Sequence, residues 1–233
     1  PIILYGAHRG LAFSIYNLVP VLTSVLGVSA IPVLTDAWTR KDKTEIKSSM
    51  ETVIRTTALV SMPAAFGLMA LGREAVALLY PGKIYTAPIA GTNLCILGAC
   101  ALFAGLTAPV TSMLQAIGKP KIPLYNMAVG AILKILVNFF LVATPEINIA
   151  GVPIGTTVCY AYICVMNILM LIKCSGVKPD VKGVILKPII AGLVCGASAF
   201  ATAYLLAKFG IHNMLLTVVS IMVAVIVYVV AVI

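Results

Sequence analysis

A lysine stands in the middle of an apolar run. Ile122–Ala143 is long enough to cross a bilayer, which takes ~20 residues at 1.5 Å each. Within it Asn126, Gly130, Lys134 and Asn138 recur every four residues and so share one slowly drifting face of a helix. Lys134 cannot easily reach either interface, and a cation at that depth costs ~2.5–3.5 kcal/mol on insertion scales. Water, a partner or a ligand must compensate it. Carboxylates inside the apolar runs do not: all seven, Asp36, Asp42, Glu45, Glu51, Glu74, Glu146 and Asp180, lie at helix ends or in loops. A site for an organic cation, or for Na⁺ or H⁺ exchange, would use a buried Asp or Glu. Lys134, with Arg55 one turn inside the second apolar run and Arg9 at the head of the first, suits an anion instead, phosphate above all. Arg9, Arg55, Asn126, Lys134 and Asn138 are the cavity-lining candidates. For the two arginines, snorkelling to headgroups is the competing reading.

Other chemistry has little to work with. The two histidines are His8, near the amino end, and His212, in a turn. There is no HExxH and no GxSxG, and Gly118-Lys119-Pro120 lacks the upstream glycine and following Ser/Thr of a phosphate loop. The six cysteines form no CxxC pair and five lie inside apolar segments, as inert buried thiols do. No enzyme activity, cofactor or metal is expected. A net charge of +9 could suggest nucleic acid, but no basic–aromatic stripe, zinc finger or RNP-like motif is present. The basic residues sit mostly in short loops between apolar runs, which points to membrane topology rather than a nucleic-acid partner.

The elements that position these residues follow from composition. The chain is 61% hydrophobic and 10% charged, with mean hydropathy +1.11. A soluble domain is about a quarter charged, so this is an integral membrane protein. Seven spans are predicted: Leu11–Leu34, Thr52–Leu71, Tyr85–Pro109, Ile122–Ala143, Ala150–Leu171, Ile185–Ala207 and Asn213–Ile233. Each must be a helix, which satisfies its own backbone inside lipid. The fold class is therefore all-α, a polytopic membrane helix bundle whose first partner is the bilayer.

Eleven of the 16 basic residues fall on one side of these spans, in the stretches after the first, third and fifth, and four on the other. By the positive-inside rule the amino end faces outward and the carboxyl end is cytoplasmic. Ala37–Met50, with Trp38 as a headgroup anchor, and Arg73–Tyr80 read as interfacial segments. Pro20, Pro63 and Pro109 fall in spans and are candidate bending points, with Pro63 expected to kink the second. Gly192 and Gly196 form a GxxxG for close helix packing within the bundle. The chain starts at Pro1 and ends within an apolar run, so it is expected to be a piece of a longer protein.

Ordered motifs along the chain resemble a known family. Tyr16–Ala37 (YNLVPVLTSVLGVSAIPVLTDA), Ser61–Gly82 (SMPAAFGLMALGREAVALLYPG), Met113–Val142 (MLQAIGKPKIPLYNMAVGAILKILVNFFLV), Ile147–Tyr160 (INIAGVPIGTTVCY) and Val177–Gly192 (VKPDVKGVILKPIIAG) follow one another as in the MATE-like multidrug/oligosaccharidyl-lipid/polysaccharide (MOP) exporters. The branch most similar is the stage V sporulation protein B and lipid II flippase-like group. The resemblance implies the second lobe of a two-lobed, fourteen-helix transporter. Residues 1–172 would be the lobe's bundle, 173–184 a basic cytoplasmic linker and 185–233 two additional helices. The first lobe, a partner in the same protein, would be missing. It implies flipping of an anionic lipid-linked sugar pyrophosphate, a cell-wall or polysaccharide precursor, by alternating access in a bacterial plasma membrane. Lys134 and Asn138 stand on the family's Lys and Asn positions. The stripe is then expected to face water, the missing lobe or the anionic substrate. The alternatives are a multidrug cation antiporter of the same superfamily and, in a different class, a seven-helix receptor or membrane scaffold.

Overall fold

The computed structural model describes residues 5–82, 85–144, 148–208 and 213–232, and no strand occurs among them. Seven helices are long and apolar enough to cross a membrane. They are α1 (Ala7–Thr39), α2 (Lys43–Leu79), α3 (Ala87–Ala116), α4 (Lys121–Ala143), α5 (Gly151–Ser175), α6 (Val181–Lys208) and α7 (Asn213–Val232). His212, Lys83 and Glu146 lie outside the described residues.

Helix α3 is the centre of the bundle. In its most apolar stretch 61% is buried, against 11% for α4. Helices α1, α2 and α5 pack on α3, α4 packs on α5, α6 on α2, and α7 on α6 and α2. The order across the bundle is thus α4, α5, α3, then α1 and α2, then α6 and α7. One core lies toward the end rich in basic residues, around Leu34, Met50, Ile54, Met113, Leu114 and Leu171. A second, around Tyr16, Val76, Leu94, Leu97 and Ala104, includes the start of α1. Small residues set the close approaches. A Cβ at Gly27 would strike the Pro109 backbone, and one at Gly196 would press on Phe66, so the GxxxG is the seam between α6 and α2.

The helices run further than their apolar stretches. Ala37–Met50, expected at the membrane surface, is the end of α1, a tight turn and the start of α2. Lys41 takes positive φ (57°) in that turn. The Asp42 carboxylate then accepts the N–H groups of Thr44 and Glu45 at 3.0 Å and starts α2. Arg40 closes the turn, donating to Asp36 at 2.6 Å and Glu45 at 2.8 Å. Polarity here marks where the chain leaves lipid, not where helix stops.

Arg73–Tyr80 likewise continues α2, as far as Leu79, beyond a break at Leu71 (φ −116°, ψ 17°). The departure from helical angles in α2 falls there rather than at Pro63, where Gly72 backs against Cys95 of α3. Pro109 does not end α3; it is buried mid-helix. The connection from α5 to α6 is also shorter than the 173–184 expected. Helix α5 runs to Ser175, Gly176 reverses it in the left-handed region (φ 64°), and α6 begins at Val181. Glu51 of α2 accepts the Asp180 N–H at 2.8 Å and ties this connection down.

Candidate functional site

The stripe on α4 faces α5. The two helices run antiparallel, so that Asn126, Gly130 and Asn138 meet Asn167, Ile163 and Gly155 in turn. Asn126 donates to Asn167 Oδ1 at 2.7 Å. Gly130 lies under Ile163 and Cys159, and Gly155 lies under Asn138 and the Lys134 carbonyl. Any Cβ at Gly130 or Gly155 would collide with these atoms. The expectation that the whole stripe faces water, a missing lobe or substrate is therefore corrected. Small residues let the backbones approach, and buried amides find partners across the seam. Asn167 is fully buried and also donates to Thr111 of α3 at 3.2 Å. Asn126 thus belongs to a hydrogen-bonded chain joining α4, α5 and α3.

Lys134 is different. It is half-buried and makes no hydrogen bond or ion pair among the described residues. Its charge acts on His8 of α1, Cys100 of α3 and Cys159 of α5, so all three lie within its electrostatic reach. His8 is 4% exposed, and its Nδ1 has no partner. Tyr16, also buried, meets Cys100 Sγ at 3.2 Å through its hydroxyl. Arg9 is exposed on the same turn as His8, its guanidinium 4.6 Å from the centre of the Phe13 ring. One turn beyond Lys134, Asn138 Oδ1 is buried without a partner. Lys134 and Arg9 both act on the His8 ring, and unpartnered polar atoms lie at His8 and Asn138.

The local backbone helps place His8 and Arg9. Residues Ala7–Ala12 coil with π-helical spacing, which widens the turn carrying His8 and Arg9. Helix α1 loosens again at Asn17, between Phe13–Tyr16 and Leu18–Thr39. Pro20 explains that, because it lacks the N–H that would bond the Tyr16 carbonyl.

Comparison with known proteins fixes the lineage. The family model described as "Lipid II flippase MurJ" matches residues 13–220. The chain belongs to that family. Its match contains Arg55, Asn126, Lys134 and Asn138, while His8 and Arg9 precede it. A solved structure, "Lipid II flippase MurJ, inward closed conformation", superposes with a TM-score of 0.70 at 18% identity. The superposition covers 98% of this chain and 45% of that one, so the chain spans under half the length of the solved flippase. No curated protein matches the chain.

The remaining candidates are dispersed within this family fold. Arg55 is exposed on α2 and lines a groove with α6 and α7. Pro20 lies in α1, Pro63 in α2 and Pro109 in α3. His8 and Cys100 were not singled out in the sequence, because only the packing of α1 on α3 and of α3 and α4 on α5 brings them within reach of the Lys134 charge. Among the described residues no three His, Cys, Asp or Glu side chains group as metal ligands would.

Proposed function

We propose that this chain is the second lobe and two additional helices of a flippase for an anionic lipid-linked oligosaccharide pyrophosphate in a bacterial plasma membrane. The amino end of the chain faces outward and the carboxyl end the cytoplasm. Lys134, with Arg9 and Asn138, holds the pyrophosphate, while the lobes rock with Pro20, Pro109 and the break at Leu71 beyond Pro63 as bending points. The work is transport, with no bond made or broken.

The observation that carries this reading is the half-buried, unpaired Lys134 ammonium, whose charge acts together with that of Arg9 on the buried His8. An ammonium in a membrane needs an anion, and a lipid-linked pyrophosphate supplies one along with the hydrocarbon that keeps it in the bilayer. Family membership supports the substrate class. The exposed faces of α4 and α1 support a missing partner lobe: Leu124, Tyr125, Ile135, Phe139 and Phe140 of α4 are all more than half exposed. The segment alone, holding one wall of the cavity, does not transport.

The test is Lys134→Ala in the full-length protein. Flipping of a fluorescent lipid-linked pyrophosphate into proteoliposomes falls to background while membrane expression is unchanged. Wild-type flipping in that variant removes Lys134 from the site.

A further inference from the structure

A second pair of unpaired cations lies on the opposite flank of the bundle. Arg55 of α2 and Lys187 of α6 line a groove of about 600 Å³ whose third wall is the end of α7 at Ala231 and Val232. Neither cation makes an ion pair or hydrogen bond among the described residues. No carboxylate lines the groove. Two carboxylates at its edge are already engaged: Glu51 accepts the Asp180 N–H and lies 3.9 Å from Lys47, and Asp180 caps the N–H of Gly183 in the groove wall.

The groove changes character along its length. Arg55 and Lys187 stand toward the basic end of the bundle, where α6 starts and α7 ends. One and two turns deeper the walls are Leu59 on α2 and Val194 on α6. Cations at the mouth over a hydrocarbon floor match an amphiphile with an anionic head. A free phosphate would leave the floor uncovered, and a zwitterionic lipid would set its own ammonium group beside the two cations.

We propose that this groove is a binding site for an anionic glycerophospholipid of the surrounding bilayer. Its phosphate sits between Arg55 and Lys187 and one acyl chain lies against Leu59 and Val194. The site is separate from Lys134, with α3 and α5 between them, and it clamps the two terminal helices onto α2. Arg55 is accordingly a headgroup residue, not part of the transport cavity.

Native mass spectrometry of the purified full-length protein in detergent tests this, with phosphatidylglycerol, phosphatidylcholine or inorganic phosphate added. Phosphatidylglycerol is retained about thirtyfold over phosphatidylcholine, the factor two cations near an anionic lipid supply. Arg55→Gln with Lys187→Gln abolishes the preference. Val194→Trp, which fills the floor but keeps both charges, weakens phosphatidylglycerol retention. Lys208→Gln and Lys134→Ala leave it intact, which separates this site from the transport site. Should the double variant not fold, the swap Arg55→Lys with Lys187→Arg keeps the preference, and high salt removes it from the wild type. Equal retention of the two lipids overturns the proposal, as does a preference that survives the double substitution. Retention of inorganic phosphate unaffected by Val194→Trp overturns it too, by naming the free ion as ligand.

Discussion

The seam between α4 and α5 makes a quantitative claim. Asn167 is fully buried, accepts from Asn126 Nδ2 at 2.7 Å and donates to Thr111 Oγ1 at 3.2 Å. Asn167→Ala removes both bonds. Interhelical hydrogen bonds in membranes average ~0.6 kcal/mol and reach ~1.7, so the loss is ~1.2 kcal/mol and at most ~3.4, before any cavity. Asn126→Ala removes only the shorter bond, for ~0.6–1.7 kcal/mol. A double-mutant cycle between the two isolates that bond, because each single change already breaks it. The coupling should fall at ~0.6–1.7 kcal/mol. The same cycle with Thr111→Val and Asn167→Ala should give less, its bond being longer. Asn126→Ala with Ser198→Ala, on α6, should be additive within ~0.5 kcal/mol. The assay is reversible unfolding in mixed dodecyl sulfate micelles, followed by circular dichroism. Coupling indistinguishable from zero for Asn126 and Asn167, or as large for Asn126 and Ser198, would refute the register of α4 on α5.

Two further outcomes follow from the same contacts. Gly155→Ala puts a methyl group into Asn138 Oδ1 and should destabilise by ~1–3 kcal/mol. Asn138→Ala should recover most of that, since it removes the obstructing atom, and additive losses in the unfolding assay would count against the contact. Asp42→Ala strips the start of α2 of the acceptor for two N–H groups. It should cost ~0.5–2 kcal/mol, read as a lower Tm in detergent, with Asp42→Asn losing less.

The seven helices were legible because twenty-residue apolar runs leave the backbone no other form in lipid. Their ends were not, because polar residues can continue a helix past the interface. Asp42 was the readable exception, an N-cap with Glu45 three residues on. The four-residue spacing of Asn126, Gly130, Lys134 and Asn138 correctly gave one face but not what the face meets. The answer was also written in the chain: Gly155, Cys159, Ile163 and Asn167 repeat the same spacing on α5. Two matching stripes of small and polar residues on neighbouring helices are a seam, whereas a single stripe can face water. Lys134 reads differently from its neighbours because it is half-buried and finds no partner across the seam, and His8 is found only through the packing of α1.

That packing bears on which part of a rocking lobe could move. Helices α4 and α5 are locked by close contacts at Asn126, Gly130 and Asn138, the first of them continued by Asn167 to α3, so Lys134 rides on a rigid frame. The start of α1 is held differently. It carries π-helical spacing at Ala7–Ala12 and a loosened turn at Asn17 before Pro20. Its polar ties to the frame are few, with Tyr16 meeting Cys100 and His8 left without a partner at Nδ1. A change in the distance between Arg9 and Lys134 would therefore arise from α1 bending, not from α4 sliding. Spin labels at Arg9→Cys and Lys121→Cys, with the native cysteines replaced, should report a broad or two-peaked distance distribution. Labels at Lys121→Cys and Lys173→Cys, both in the frame, should report a single narrow one. Equal widths would mean that α1 is as fixed as the frame, and the bending point would have to lie elsewhere.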